Sequence, residues 1–143
     1  DSAHNPDSIQ ALVACLRDIS APQVTFVVGF LRDKPARQLL RMLKPCALRF
    51  ILVEPDSPRA MPIQRLARIA RELNLSYETT TRPDQLIRTS RDNIVVTGSF
   101  YLAAQALRVA SATCQFPDES RAWTLARRVV GSRQRRRRHM TFR

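Results

Sequence analysis

Four short stretches concentrate the side chains able to do chemistry. The chain opens on DSAHNPDS, which sets a carboxylate, Asp1, and an imidazole, His4, just ahead of Asn5 and Pro6. GFLRDKP places Asp33 beside Lys34, EPDSPRA carries Arg59 in a polar turn, and VVTGSF runs through Thr97 and Gly98 to Ser99. Lysine, arginine and a hydroxyl at a helix start are groups that hold an anion, because free N–H donors and the helix dipole favour negative charge there. A carboxylate such as Asp1 instead accepts hydrogen bonds from hydroxyls. Each stretch also has a plain structural reading. Asn5, Pro6 and Asp7 suit an N-cap, a first helical position and an acidic first turn. Asp33 and Lys34 read equally as a solvated charge pair that adds little to stability, and Ser99 as an N-cap. There is no GxGxxG and no Walker A pattern, so a nucleotide site complete within this chain is not expected.

These stretches need elements to position them, and the hydrophobic periodicity supplies an alternating series. IQALVACLRDI places Ile9, Leu12, Val13, Leu16 and Ile19 at helical spacing. QVTFVVGF is rich in β-branched residues and almost wholly apolar, which suits a strand buried on both faces. ARQLLRMLK returns to helical spacing through Leu39, Leu40 and Leu43 and stops at Pro45, and LRFILVEP is a second apolar strand. IQRLARIARELNL turns Ile63, Leu66, Ala67, Ile69, Ala70 and Leu73 one way and Arg65, Arg68, Arg71 and Glu72 the other. SYETT is a weak strand, DNIVVTGSF a strong one, and YLAAQALRVASA a helix. A further helix is predicted over PDESRAWTLARRVVG. Strands separated by helices imply an α/β fold with a doubly wound, mainly parallel sheet. In such a sheet ligands gather at the carboxyl ends of the strands, where three of the four stretches fall.

Bulk properties narrow the function further. At 143 residues and 44% apolar content the chain fits one globular domain. No apolar run approaches the roughly 20 residues of a membrane-spanning helix, so no membrane association is expected. Cys15, Cys46 and Cys114 sit apart within apolar stretches and read as buried thiols in a reducing, cytoplasmic setting. Half of the net charge of +12 comes from six arginines in the last thirteen residues, GSRQRRRRHMTFR. That end reads as a solvated, flexible tail, and as the one place where nucleic acid would bind. The chain does not begin with Met, and we expect a segment upstream of it.

Read in order, DSAHNPDS, VVGFLRDKP, SPRAMP and DNIVVTGSFYL resemble the successive signatures of the carboxyl-terminal domain of folylpolyglutamate synthase and dihydrofolate synthase, within the Mur ligase superfamily. The order and strand context agree over residues 1 to about 112. The resemblance implies a Rossmann-like Mur ligase C-terminal domain over 7–130, an interdomain linker and nucleotide contact over 1–6, and a tail over 131–143. It implies an ATP-dependent ligase that adds glutamate to a folate or dihydropteroate through an acyl phosphate. Its missing N-terminal ATPase domain would supply the P-loop and the Mg2+ ligands, so the fragment alone is predicted inactive, with no metal ligand of its own. By position, Asp1 matches the acceptor of the ATP ribose hydroxyls and His4 a histidine facing the phosphates. Lys34 matches a lysine near the incoming amino acid, oriented by Asp33. Ser99 matches a glutamate contact, and Arg59 a lesser contact to substrate or to the other domain.

The sequence departs from the family pattern in reading DKP where DKD is common, in Ser2 where Gly is frequent, and in the Arg-rich end. Two other readings compete. One is a Mur-type ligase acting on a cell-wall precursor. The other is a non-enzymatic basic module that binds nucleic acid through its tail, although two Tyr and one Trp offer little for base stacking.

Overall fold

The computed structural model describes residues 3–21, 23–89 and 93–113. Among the described residues five helices and four strands alternate: α1 (Pro6–Asp18), β1 (Val24–Val28), α2 (Ala36–Leu43), β2 (Ala47–Leu52), α3 (Ile63–Glu72), β3 (Tyr77–Thr79), α4 (Pro83–Thr89), β4 (Ile94–Thr97) and α5 (Phe100–Thr113). The strands form one parallel sheet in the order β3-β2-β1-β4. A short 3₁₀ turn, Lys44–Cys46, ends α2 at Pro45.

The alternation of side chains along β1 and β2 builds a core on each face of the sheet. Val24, Phe26 and Val28, with Phe50 and Leu52, pack under α1, α2 and α3 against Ile9, Val13, Leu39, Leu40, Leu43 and Leu66. The rings of Phe26 and Phe50 stack with centroids 5.7 Å apart. Val27, Ile51 and Val53 point the other way, where Leu102 of α5 and Leu86 of α4 cover them. β1 and the second half of β2 are therefore wrapped on two sides, which is why VTFVV and FIL run almost wholly apolar without alternation.

Local signals set the helix boundaries. Asn5 caps α1, accepting from the Ser8 amide at 2.9 Å, while the Ser8 hydroxyl accepts from the Asn5 amide, a reciprocal box with Pro6 at the first position. α1 and α3 each end in a left-handed residue, Ser20 (φ 49°) and Asn74 (φ 50°). The amides that follow, Ala21 and Leu75, reach back to the carbonyls of Leu16 and Ala70, satisfying acceptors the helices leave open.

Two expectations change. Cys15 is exposed and Cys46 is only partly buried. Ile9, Val13 and Leu16 turn inward on α1, and Cys15, two residues after Val13, lies about 200° around the helix from it. α4 had no expectation, because Leu86 and Ile87 alone carry its apolar signal. Cys114, the helix expected over PDESRAWTLARRVVG and the arginine tail lie outside the described residues. Among the described residues no helix is long and apolar enough to cross a membrane.

Candidate functional site

β1 and β4 are neighbours, yet the chain leaves them on opposite faces, β1 toward α2 and β4 toward α5. That divergence opens a crevice beyond their carboxyl ends, the usual ligand position of a doubly wound sheet. Two glycines keep the crevice tight. Gly98, at φ 105°, adopts a conformation that L side chains rarely take, and a Cβ there would lie 2.7 Å from the Gly29 carbonyl oxygen. A Cβ on Gly29 would meet the Val53 carbonyl oxygen at 2.7 Å.

Three segments converge on the crevice. The leading segment is tied down by the Ala3 carbonyl, which accepts from the Thr97 hydroxyl at 3.1 Å and from the Gly98 amide at 2.9 Å. His4 is thereby held over the start of α5, its ring 5.0 Å from that of Phe100. The loop after β1 pairs with the stretch after β2: the Met61 amide donates to the Phe30 carbonyl and the Arg32 amide to the Arg59 carbonyl, with Leu31 and Ala60 bridged antiparallel. The Arg32 side chain adds a bond from Nε to the Ala60 carbonyl at 2.9 Å. This pairing brings Arg59 to Asp33, 26 positions earlier, with 3.2 Å from guanidinium to carboxylate. Lys34 Nζ stands 3.4 Å from the other oxygen of Asp33.

The result is a cavity of about 230 Å3 lined by His4, Leu31, Lys34, Arg59, Ser99 and Phe100, with Gly98 and Tyr101 completing its wall. Of the residues expected from the sequence, His4, Lys34, Arg59 and Ser99 share this one cleft. Asp33 sits behind it, between the two cations. Asp1 lies outside the described residues. A larger concavity of about 440 Å3 lies between α2 and α3 and shares only Lys34 with the cleft. The smaller one is the candidate site, because it joins the leading segment, the loops after β1 and β2, Gly98 and the start of α5.

The chemistry of the cleft is that of an anion receiver. The Asp33 carboxyl is held below the 3.8 of an ordinary aspartate, first by a hydrogen bond from its own backbone amide and then, against an opposing contribution from burial, by Lys34 and Arg59. Asp33 thus stays ionised and orders two cations that line the cavity and keep further N–H donors. Ser99 is buried, and its Oγ accepts from the Leu102 amide at 3.1 Å, so it is the N-cap of α5. Its hydroxyl hydrogen can still be donated toward a bound oxygen. Among the described residues no group of three or more His, Cys, Asp or Glu could hold a metal ion. Reading the sequence did not pick out Leu31, Phe100 and Tyr101 as cleft residues. Phe100 and Tyr101 belong to the TGSFYL run, but only the fold shows that His4 comes to rest on Phe100.

A doubly wound parallel sheet with a cleft lined by Lys34 and Arg59 at its switch point defines a Rossmann-like α/β domain. The profile of the Mur ligase glutamate ligase domain matches residues 1–100, and the chain belongs to that family. Its relatives are folylpolyglutamate synthases. It is 32% identical over 113 residues to the enzyme of Lacticaseibacillus casei, covering 73% of this chain and 24% of that protein. The folylpolyglutamate synthase structure from Thermotoga maritima superposes with a TM-score of 0.70 at 28% identity, over 78% of this chain and 27% of that one. The bifunctional folylpolyglutamate synthase/dihydrofolate synthase of Yersinia pestis, complexed with AMPPNP and a Mn ion, gives 0.63 at 25% identity, over 78% and 27%. The chain thus spans about a quarter of the length of these relatives.

Proposed function

We propose that this chain is the amino-acid-binding part of an ATP-dependent ligase that adds glutamate to a folate-type acceptor, working in the cytoplasm with an upstream ATPase domain. The observation that carries the proposal is the meeting of His4, Lys34, Arg59 and Ser99 around one cleft at the switch point. Lys34 and Arg59 neutralise a carboxylate of the incoming glutamate, Asp33 holds both cations in place, and the amides and hydroxyl at the start of α5 take another carboxylate oxygen. His4 faces the same space and serves as a donor toward a phosphoryl or acyl oxygen. Asp1 enters from the family pattern alone, as the acceptor for the ribose hydroxyls of ATP.

Bound ATP would supply the phosphoryl group that activates the acceptor as an acyl phosphate. Mg2+ would be held mainly by the upstream domain, as the family resemblance implies. The work of this domain is to position the amine in line and to keep water out. The test is ATP-dependent incorporation of glutamate into a folate-type acceptor by the full-length enzyme. Losing a hydrogen bond to a charged group costs about 1.5–3 kcal/mol, so Lys34→Gln should raise the glutamate KM about 10- to 100-fold. Asp1→Ala should weaken ATP instead. An unchanged glutamate KM in both Lys34→Gln and Arg59→Gln would defeat the assignment.

A further inference from the structure

Two hydroxyls that do not line the cleft fix the histidine that does. Thr97 ends β4 fully buried, and Ser8 stands in the first turn of α1. Between them lies the peptide unit that joins Ala3 to His4. Its carbonyl accepts from the Thr97 hydroxyl at 3.1 Å as well as from the Gly98 amide at 2.9 Å. Its N–H, on the opposite edge, donates to Ser8 Oγ at 3.1 Å. A single hydrogen bond would leave a carbonyl free to pivot about its donor. Bonds on both edges hold the plane of the unit, and with it the direction in which the His4 side chain leaves the backbone. The ring then rests on Phe100, 5.0 Å away.

Folding alone does not ask for the Thr97 hydroxyl. The residues before it, Ile94, Val95 and Val96, are apolar and β-branched, and a valine of nearly the same shape would suit this strand as well. The Ala3 carbonyl would keep the Gly98 amide, so no buried polar group would be orphaned. What the hydroxyl adds is the second anchor on the leading segment. The geometry points to Thr97 as a positioning residue for His4, with Ser8 as its counterpart on the amide side. This rests on the function proposed above and adds to it the group that aims the histidine at a phosphoryl or acyl oxygen. Such a donor has to be held within about 0.5 Å of its productive place, which a ring on an untethered chain end is not.

The experiment is a double-mutant cycle on Thr97 and His4 in the full-length enzyme, read as ATP-dependent incorporation of glutamate into a folate-type acceptor. Thr97→Val should lower kcat about 3- to 10-fold and leave the glutamate KM unchanged, because Lys34, Arg59 and Ser99 keep their places. Thr97→Ser, which keeps the hydroxyl, should recover most of the loss. Once His4 is replaced by alanine, Thr97→Val should cost nothing further, a result that a merely structural role would not give. An equal fall in kcat with and without His4 would overturn the inference while leaving the glutamate ligase reading intact. So would an unchanged kcat in Thr97→Val, or a rise in the glutamate KM as large as the fall in kcat. A His4→Ala enzyme with the wild-type kcat, or a wild-type enzyme that ligates no glutamate, would defeat the functional reading and this inference with it.

Discussion

Gly98→Ala is the substitution whose effect the structure specifies most fully. The backbone at φ 105° lies where an L residue is strained, at a cost of about 1–3 kcal/mol. The added methyl would sit 2.7 Å from the Gly29 carbonyl oxygen and 2.9 Å from Cε1 of Phe30. Neither neighbour can swing aside, since one is backbone and the other a fully buried ring. Relief must come from β4 moving off β1, which lengthens the 2.9 Å bond from the Gly98 amide to the Ala3 carbonyl and forfeits about 1 kcal/mol more. The expected loss is about 2–4 kcal/mol, a large share of a typical domain's 5–15. Urea unfolding followed by circular dichroism measures it, and a midpoint lower by about 2 M is expected for a chain of this size. Gly29→Ala meets a backbone oxygen at 2.7 Å without a positive φ, so its loss should be smaller. A Gly98→Ala loss below about 1 kcal/mol would refute the claim that the two strand ends are locked together.

Other outcomes follow from single contacts. Asn5→Ala removes the reciprocal cap of α1 and should lower stability by about 0.5–2 kcal/mol in thermal unfolding, and an unchanged midpoint would count against the cap. The Asp33 carboxyl, followed by NMR, should titrate below 3.8. Because its folded pKa is depressed, its stabilising contribution is complete above that value and disappears as pH falls through the lower, folded one. Asp33→Asn should therefore flatten the acid side of the stability profile, and a titration midpoint at or above 3.8 would contradict the ion-paired arrangement. In the full-length enzyme Ser99→Ala should affect stability as well as the glutamate KM, since Ser99 also caps α5, whereas Lys34→Gln should act on KM alone.

The parts of this molecule that could be read in advance were those with a local cause. VTFVV and FILV announce strands buried on both faces, and Asn5-Pro6 announces a helix start, because neighbours in the chain decide both. β3 is only three residues long and mostly exposed, and α4 shows core-facing apolar character at little more than one position, so their signals are faint. The site divides the same way. Its chemical residues stood out by type, but the pairing of the 30–32 loop with 59–61 and the seating of His4 on Phe100 depend on contacts made across the fold. The arginines of α3 read correctly as an outer face. Only the packing of α3 against α2 makes two such faces into one groove.

The Ala3 carbonyl clasps a strand end 94 positions away. Such a closure is among the last that a folding chain can make, because so much intervening polypeptide must first be ordered. The receiving surface is therefore a keystone assembled from the chain's far-apart segments. A brief release of β4 and α5 would dismantle it while the hydrophobic layer beneath α1, α2 and α3 stayed whole. Affinity and local opening would then be two sides of one equilibrium: a carboxylate bound as proposed would slow amide exchange at Thr97 and Gly98, and anything that loosens that seam would weaken capture without melting the domain.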